Sequence, residues 1–393
     1  MNKKAYLLPI ISLCVLPFSF KGLTTPVLAV EGDALTSANA NVAGLHLHQI
    51  ESPACFHTVL QEKYIQDGVR SIDKYARANA ELSRPDALKF VWDAKNVNKN
   101  AKPTYSFTIS ENSDLSNGRL YQTTNNYVNV YNLKLATRYY YQVTTNYGGS
   151  VSESEILYFS TENSMFRNLY IDGVINARDL GGWRNSEGKF MVRQGVLFRS
   201  GPFNVSNVKT LQTSITSSGL KETSYLGIKT EIDLRRTDNG ETGGITSRSP
   251  LGSRVKYVSA PLNWDLPDNA LKNEGNIASI KKVFATLGDS NNYPAIFHCT
   301  AGADRTGLIA FLINGLMGVS EDDLYRDYQF TDFANVSWMR YKSTILNSYI
   351  KTIKEQKGAT LCEKIVNLLT SFGVPSSDIS TVYNMLQGEA YRI

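Results

Sequence analysis

Ten consecutive residues hold the densest chemistry in this chain: His298-Cys299-Thr300-Ala301-Gly302-Ala303-Asp304-Arg305-Thr306-Gly307. An apolar, strand-like run, Tyr293 to Phe297, leads into them, and an apolar, helical run, Leu308 to Met317, leads out. A strand, a tight loop and a helix start turn a row of backbone N–H groups toward one point. A dianionic phosphate suits that point, because the amides donate to its oxygens and the helix dipole favours its charge. The cradle amides are those of Thr300, Ala301, Gly302, Ala303, Asp304 and Arg305. The spacing puts the Cys299 thiol at the base of the cradle and the Arg305 guanidinium at its rim, where a planar fork holds two phosphate oxygens at once.

These residue types specify a reaction. A thiol at a helix N-terminus beside an arginine has a pKa well below the free value of about 8.5, so a thiolate is available to attack phosphorus. The loop amides and Arg305 then face the negative charge that spreads in the transition state. The Thr306 hydroxyl is placed to donate to the sulfur when it leaves. His298 is expected to fix the loop through a ring N–H bond to neighbouring backbone. The fixed dipoles and Arg305 supply the positive charge, so neither metal nor cofactor is expected. A proton donor is required for the leaving oxygen. Two aspartates compete for that role: Asp304 inside the loop, and Asp265 in Trp264-Asp265-Leu266-Pro267, a candidate lid.

The elements that must position this loop fill residues 163–393. Val174 to Gly182 ends in a double glycine, Val196 to Gly201 is a strand running into a turn, and Leu226 to Arg235 is a buried-type strand with charged residues at its carboxyl end. Val255 to Ala260 is a further strand, and Ile277 to Leu287 reads as a helix before the central strand. Four helices follow the loop: Glu321 to Phe333, Met339 to Ile353, Leu361 to Phe372 and Asp378 to Leu386, the last capped by Ser377-Asp378. Interleaved strands and helices predict an α/β fold with a central sheet flanked by helices and the ligand at the carboxyl edge.

Ahead of that half, residues 85–162 have another texture. Leu88 to Trp92, Tyr105 to Ser110, Gly118 to Thr123, Tyr127 to Tyr131, Tyr139 to Thr145 and Glu155 to Ser160 are short β-rich runs between Asn, Gly and Ser turns. That spacing predicts a small all-β sandwich. Residues 30–84 read as a linker and a helical segment over 56–82, with His46 and His48 alternating with leucines in a short strand; a zinc site on those two histidines lacks further ligands nearby. Residues 1–29 read as a signal peptide: Lys3 and Lys4, an apolar run from Leu7 to Phe20, then Val27-Leu28-Ala29. An exported protein with no membrane anchor is expected.

A length of 393 residues, 42% hydrophobic and 20% charged, fits about two globular domains. The formal charge of +5 without a Lys/Arg cluster argues against nucleic acid as a partner. Cys14 goes with the leader, where Leu13 argues against lipidation. Cys55 and Cys362 fit no disulfide framework and read as isolated thiols.

The His-Cys-(five residues)-Arg-Thr-Gly loop resembles that of protein tyrosine and dual-specificity phosphatases. With Asn176-Ala177-Arg178-Asp179-Leu180-Gly181-Gly182 and Phe198-Arg199-Ser200-Gly201 upstream, it is similar to a bacterial branch of secreted tyrosine and phosphoinositide phosphatases from mycobacteria and Listeria. The resemblance spans residues 165–335 and rests on three motifs in order. It implies the cysteine-phosphatase fold, a cysteinyl-phosphate intermediate and phosphotyrosine proteins as substrates, with phosphoinositides as the alternative. It also implies a catalytic part for the loop aspartate, which raises Asp304 over Asp265. Ala303 stands where the branch commonly has lysine, and this weighs against phosphoinositides. The β-rich module resembles fibronectin type III, with a protein or cell-surface component as its candidate partner. A non-catalytic exported protein that merely holds phosphorylated ligands is the contrasting reading, which the intact Cys299 and Arg305 oppose.

Overall fold

The computed structural model describes residues 45–77, 80–94, 103–147, 150–204, 214–238, 240–242, 247–263, 270–334, 336, 339–340 and 344–390. The expected leader and Asp265 with its Trp-Asp-Leu-Pro segment lie outside the described residues.

The β-rich half contains, in chain order, Leu45–Leu47 (β1), Leu88–Ala94 (β2), Thr104–Ser110 (β3), Arg119–Thr123 (β4), Tyr127–Val130 (β5), Arg138–Tyr147 (β6), Ser150–Glu153 (β7) and Leu157–Ser160 (β8), with the helix Val59–Asp67 (α1) between the first two. One sheet is ordered β1-β2-β5 and the other β4-β3-β6-β7, with β8 also paired to β6. Alternation builds the space between them. Tyr105, Phe107 and Ile109 of β3 and Tyr139, Tyr141 and Val143 of β6 are buried and join Phe90 and Trp92 of β2 in one apolar cluster. Phe107 sits at its centre, its ring 4.8 Å from Phe90 and 6.2 Å from Trp92.

Two boundaries differ from the sequence reading. The β-rich half reaches back to residue 45, since Leu47 lies opposite Trp92 in the β1–β2 ladder. The short strand read from His46 and His48 alternating with leucines is this β1, but its pairing with β2 had no local signal. The expected 56–82 helix is only Val59–Asp67: Thr58 and Gln61 form a capping box, and Gly68, at φ +61°, ends it in the left-handed conformation.

The second half contains strands Arg178–Asp179 (β9), Phe190–Val192 (β10), Leu197–Ser200 (β11), Thr230–Asp233 (β12), Lys256–Ser259 (β13), Ala295–His298 (β14) and Gln387–Ala390 (β15). Its helices are Ser217–Tyr225 (α2), Glu274–Leu287 (α3), Asp304–Leu316 (α4), Glu321–Gln329 (α5), Ile345–Lys354 (α6), Leu361–Ser371 (α7) and Ser376–Leu386 (α8). The main sheet is ordered β13-β12-β14-β11-β9, parallel through its first four strands and closed by the antiparallel β9. All four residues of β14 are buried, so this strand is apolar without alternation, as a central parallel strand must be. α4 packs on β11 and β14 and against α5, α6 and α7. Every residue from Arg305 to Leu316 is buried, which explains why α4 is apolar on all sides. α8 starts at Ser376, two residues before the expected start at Asp378, because Pro375 takes the N-cap position.

Polar bonds tie the two halves together. Asn132 bonds to the Tyr170 carbonyl and the Glu222 carboxylate of α2, both at 2.8 Å, and Gln194 exchanges two hydrogen bonds with the Leu135 backbone. Phe107→Ala is expected to cost about 3–5 kcal/mol by the loss of buried aromatic surface and the cavity left behind. Urea unfolding checks this, and a loss below about 1 kcal/mol would show that the ring is not a core anchor.

Candidate active site

β14 ends at His298 and α4 begins at Asp304, so the loop between them is five residues long. Gly302 has φ +65°, and a Cβ there would lie 2.6 Å from the Ser200 backbone; no other residue type fits. The carbonyls of this loop are held from outside. Asn176 Nδ2 donates to Ala301 O and Gly302 O, both at 3.0 Å, and Arg199 Nη2 donates to Gly302 O at 2.8 Å. Asn176 is itself left-handed at φ +54°, and its amide oxygen accepts from Arg178. Arg199 is paired with the Asp327 carboxylate of α5, and Arg178 donates to the Asp327 carbonyl at 3.0 Å. With the carbonyls turned outward, the amides of Thr300, Gly302 and Ala303 have no acceptor among the described residues. They are free for an anion.

Cys299 lies at the base of this arrangement and is 2% exposed. Burial alone pushes its thiol up, but the Arg305 guanidinium, the Thr306 hydroxyl and the amides of Thr306 and Ala301 together hold it below the ordinary thiol value. The Thr306 hydroxyl is buried and makes no other hydrogen bond. Arg305 is fixed on three sides. Its Nη1 donates to Glu241 Oε2 at 2.7 Å and to Leu234 O at 3.4 Å, and its Nη2 donates to Thr300 Oγ1 at 3.0 Å. Burial opposes its charge, whereas Cys299 and Glu241 raise its pKa, so it is a fixed cation facing the sulfur.

The loop residues proposed from the sequence therefore come together, with two revisions. His298 does not bond to neighbouring backbone: its Nε2 meets Glu231 Oε1 of β12 at 2.8 Å, and Nδ1 faces Asp233 Oδ1 at 3.9 Å. The β12–β14 pairing places Asp233 directly opposite His298, so the ring reaches a carboxylate layer instead of its own loop. Asp304 is not free in the cradle. Tyr328 donates to its Oδ1 at 2.6 Å and Arg340 to its Oδ2 at 2.9 Å. Asp265 lies outside the described residues.

Sequence reasoning did not single out Glu241, Tyr328, Arg340 or Tyr349. Burial and the nearby charges of Asp304 and Cys299 raise the pKa of the Tyr349 phenol on α6, which places it beside the loop. Only for Glu241 did a signal exist, a carboxylate shortly after the charged end of β12. Tyr328 and Tyr349 sit on α5 and α6 and Arg340 precedes α6, all in stretches that read as helical cover for the sheet.

A family model described as "Tyrosine phosphatase family" matches residues 169–377, just over half of the chain. Among curated proteins, "Putative tyrosine-protein phosphatase H16_A0669" of Cupriavidus necator is 29% identical over 181 residues, covering 41% of this chain and 61% of its own. A tyrosine-protein phosphatase of Nostoc commune is 42% identical over 119 residues, covering 26% of this chain and 40% of its own. The chain thus spans less than two thirds of the length of either relative. Among solved structures, P. aeruginosa TpbA in complex with pTyr aligns at 16% identity and a TM-score of 0.26, covering 43% of this chain and 94% of that one.

Alkylation by iodoacetate tests the electrostatics of the loop. Cys299 should react with an inflection below the ordinary thiol range, because the thiolate persists as pH falls until the depressed pKa is passed. Arg305→Met should move that inflection upward and slow labelling near pH 6 by at least about tenfold. An unmoved inflection would contradict the assignment.

Proposed function

From the premise that the chain belongs to the tyrosine phosphatase family, we propose that it hydrolyses phosphotyrosine in proteins through a cysteinyl-phosphate intermediate. The observation that carries this reading is the buried Cys299 sulfur, held toward thiolate at the start of α4 and facing a guanidinium locked by Glu241. The thiolate attacks phosphorus in line. The S–P bond forms as the P–O bond to tyrosine breaks, and the tyrosyl oxygen takes a proton from a general acid. Water, giving a proton back to the deprotonated acid, then attacks the phosphocysteine, the S–P bond breaks, and inorganic phosphate leaves with the thiolate restored. The Arg305 fork and the loop amides stabilise the equatorial oxygens in both steps. Thr306 donates to the departing sulfur.

Asp304 is our assignment for the acid, because it opens α4 directly after the cradle. Delivery of a proton requires Asp304 in its protonated form, with Oδ1 exchanging Tyr328 for the leaving oxygen. A deeply buried sulfur is reached by a long aryl phosphate better than by phosphoserine, and the names of the two relatives agree with that class. Arg305 is the sole Lys or Arg in the loop, which gives a polyphosphorylated inositol little extra charge to bind.

Export through the 1–29 leader belongs to the same proposal, as does a fibronectin III-like identity for the β-rich half. The strand orders β1-β2-β5 and β4-β3-β6-β7 support the latter, together with the Tyr139 hydroxyl, which accepts from the Lys134 amide at 2.8 Å in the manner of a tyrosine corner.

Hydrolysis of an aryl phosphate by the intact protein and by Cys299→Ser tests the activity; no turnover by the intact protein would remove the enzyme claim. Glu241→Gln should lower kcat about 10- to 100-fold by loosening the Arg305 fork. Asp304→Asn should slow poor leaving groups far more than good ones, and equal losses across a leaving-group series would exclude it as the acid. Phosphotyrosine peptides should be preferred over phosphoserine peptides and phosphoinositides in parallel assays.

A further inference from the structure

Far along the chain from the phosphate cradle, a second group of reactive side chains converges where the β-rich half passes into the α/β half. Ala54 forms a parallel bridge with Thr161, and the Glu162 amide donates to Ala54 O at 3.0 Å, so the segment before α1 lies along the end of β8. This pairing brings three potential ligands together, with the Glu62 carboxylate beside one of them. Cys55 Sγ is 2.7 Å from Glu62 Oε1 and 3.2 Å from Glu162 Oε1, and His57 Nδ1 is 2.6 Å from the same Glu162 oxygen. The ligand atoms of Cys55, His57 and Glu162 all lie within 4.8 Å of one another.

The hydrogen-bond inventory of this cluster does not close on neutral groups. His57 Nε2 lies 3.1 Å from the Phe166 carbonyl, and a carbonyl only accepts, so Nε2 carries the proton. In the neutral ring Nδ1 then presents a lone pair, and it points at a carboxylate oxygen that is also an acceptor. The Cys55 thiol has one proton for two carboxylates. The His57 side chain is fully buried and that of Glu162 is 17% exposed, so water has no access to the imidazole. A second proton on His57 would answer the Nδ1–Glu162 contact alone, whereas a cation shared by the three ligand atoms also answers the two carboxylates at Cys55.

We propose that Cys55, His57 and Glu162 bind a structural zinc ion, with Glu62, which touches only Cys55 here, drawing in as the fourth ligand. One sulfur, one imidazole nitrogen and two carboxylate oxygens form a closed tetrahedral set suited to zinc, whereas calcium and magnesium require six or more oxygens. Zinc-bound atoms stand about 3.3–3.6 Å apart in a tetrahedron, so the contacts of Glu162 with His57 and Cys55 need to open by less than about 1 Å, whereas Glu62 has to draw in toward the other two. The bond from His57 Nε2 to the Phe166 carbonyl is the outer contact that orients a ligating histidine. The ion joins the start of α1 to the Glu162–Phe166 connection. Phe166 in turn packs on Trp183 and Phe330, with ring centroids 5.0 and 4.4 Å away, and Phe330 directly follows α5. The site thus ties the seam between the halves to the helix that carries Asp327 and Tyr328.

The test uses the full chain with Cys299→Ser as background, which removes the catalytic thiol as a competing ligand. Zinc content after dialysis is measured by mass spectrometry, and affinity by competition with a chromophoric chelator. One zinc per chain is expected, with at least about 100-fold weaker binding in Cys55→Ser and in His57→Gln. Cobalt exchanged for zinc should give a sulfur-to-cobalt charge-transfer band that Cys55→Ser removes, which reports ligation whether or not either variant lowers stability. No stoichiometric zinc, or zinc retained unchanged in both variants, would overturn the proposal. Because every readout is metal binding, failure here leaves the phosphatase reading untouched, and loss of activity leaves the zinc site untouched.

Discussion

The site depends on one constraint: the carbonyls of Ala301 and Gly302 are held outward by Asn176 and Arg199. A five-residue loop left to itself would spend its amides on its own carbonyls. Here the carbonyls are already occupied, and the amides face the cradle. The supports are buried charges. Arg178 and Arg199 share Asp327 as their partner, in a region where an unpaired guanidinium would cost several kcal/mol. Such a network adds little net stability but has few alternative arrangements, so it fixes the geometry of the loop. Gly302 completes the constraint, because its left-handed conformation and the Ser200 backbone leave no room for a side chain.

A second layer governs charge. Arg305 neutralises the thiolate and is itself held by Glu241, so the cation cannot swing away to solvent. Behind the sulfur, His298 rests on Glu231, and Asp233 is held ionised against its burial by His298 and Arg235. The sheet therefore delivers alternating charges to the carboxyl edge of β12 and β14, the edge where open α/β sheets bind their ligands.

Much of this was legible in the sequence, and the reasons separate cleanly. The loop could be read because strand, thiol, glycine, arginine and helix lie within one short window. The strands of the β-rich half could be read because alternation is a local property. Asn176 and Arg199 stood inside recognisable motifs, yet their work, holding carbonyls more than a hundred positions away, has no local signature. Arg340 and Tyr328 were invisible for the same reason: their contact with Asp304 exists only after α4 and α5 pack. β1 and β15 are short strands defined by their partners, and the pairing of β15 with β10 had no signal at all. The Cys55 cluster was divided in the sequence between a linker, a helix and the end of a strand.

The central claim is that Cys299 is the nucleophile. Rapid quenching of the protein with an aryl phosphate in acid, followed by peptide mapping, tests it directly. The account predicts one phosphoryl group on the peptide that contains Cys299, formed in a burst before steady turnover. Turnover with no phosphoryl group on that cysteine, or with the group on another residue, would contradict it.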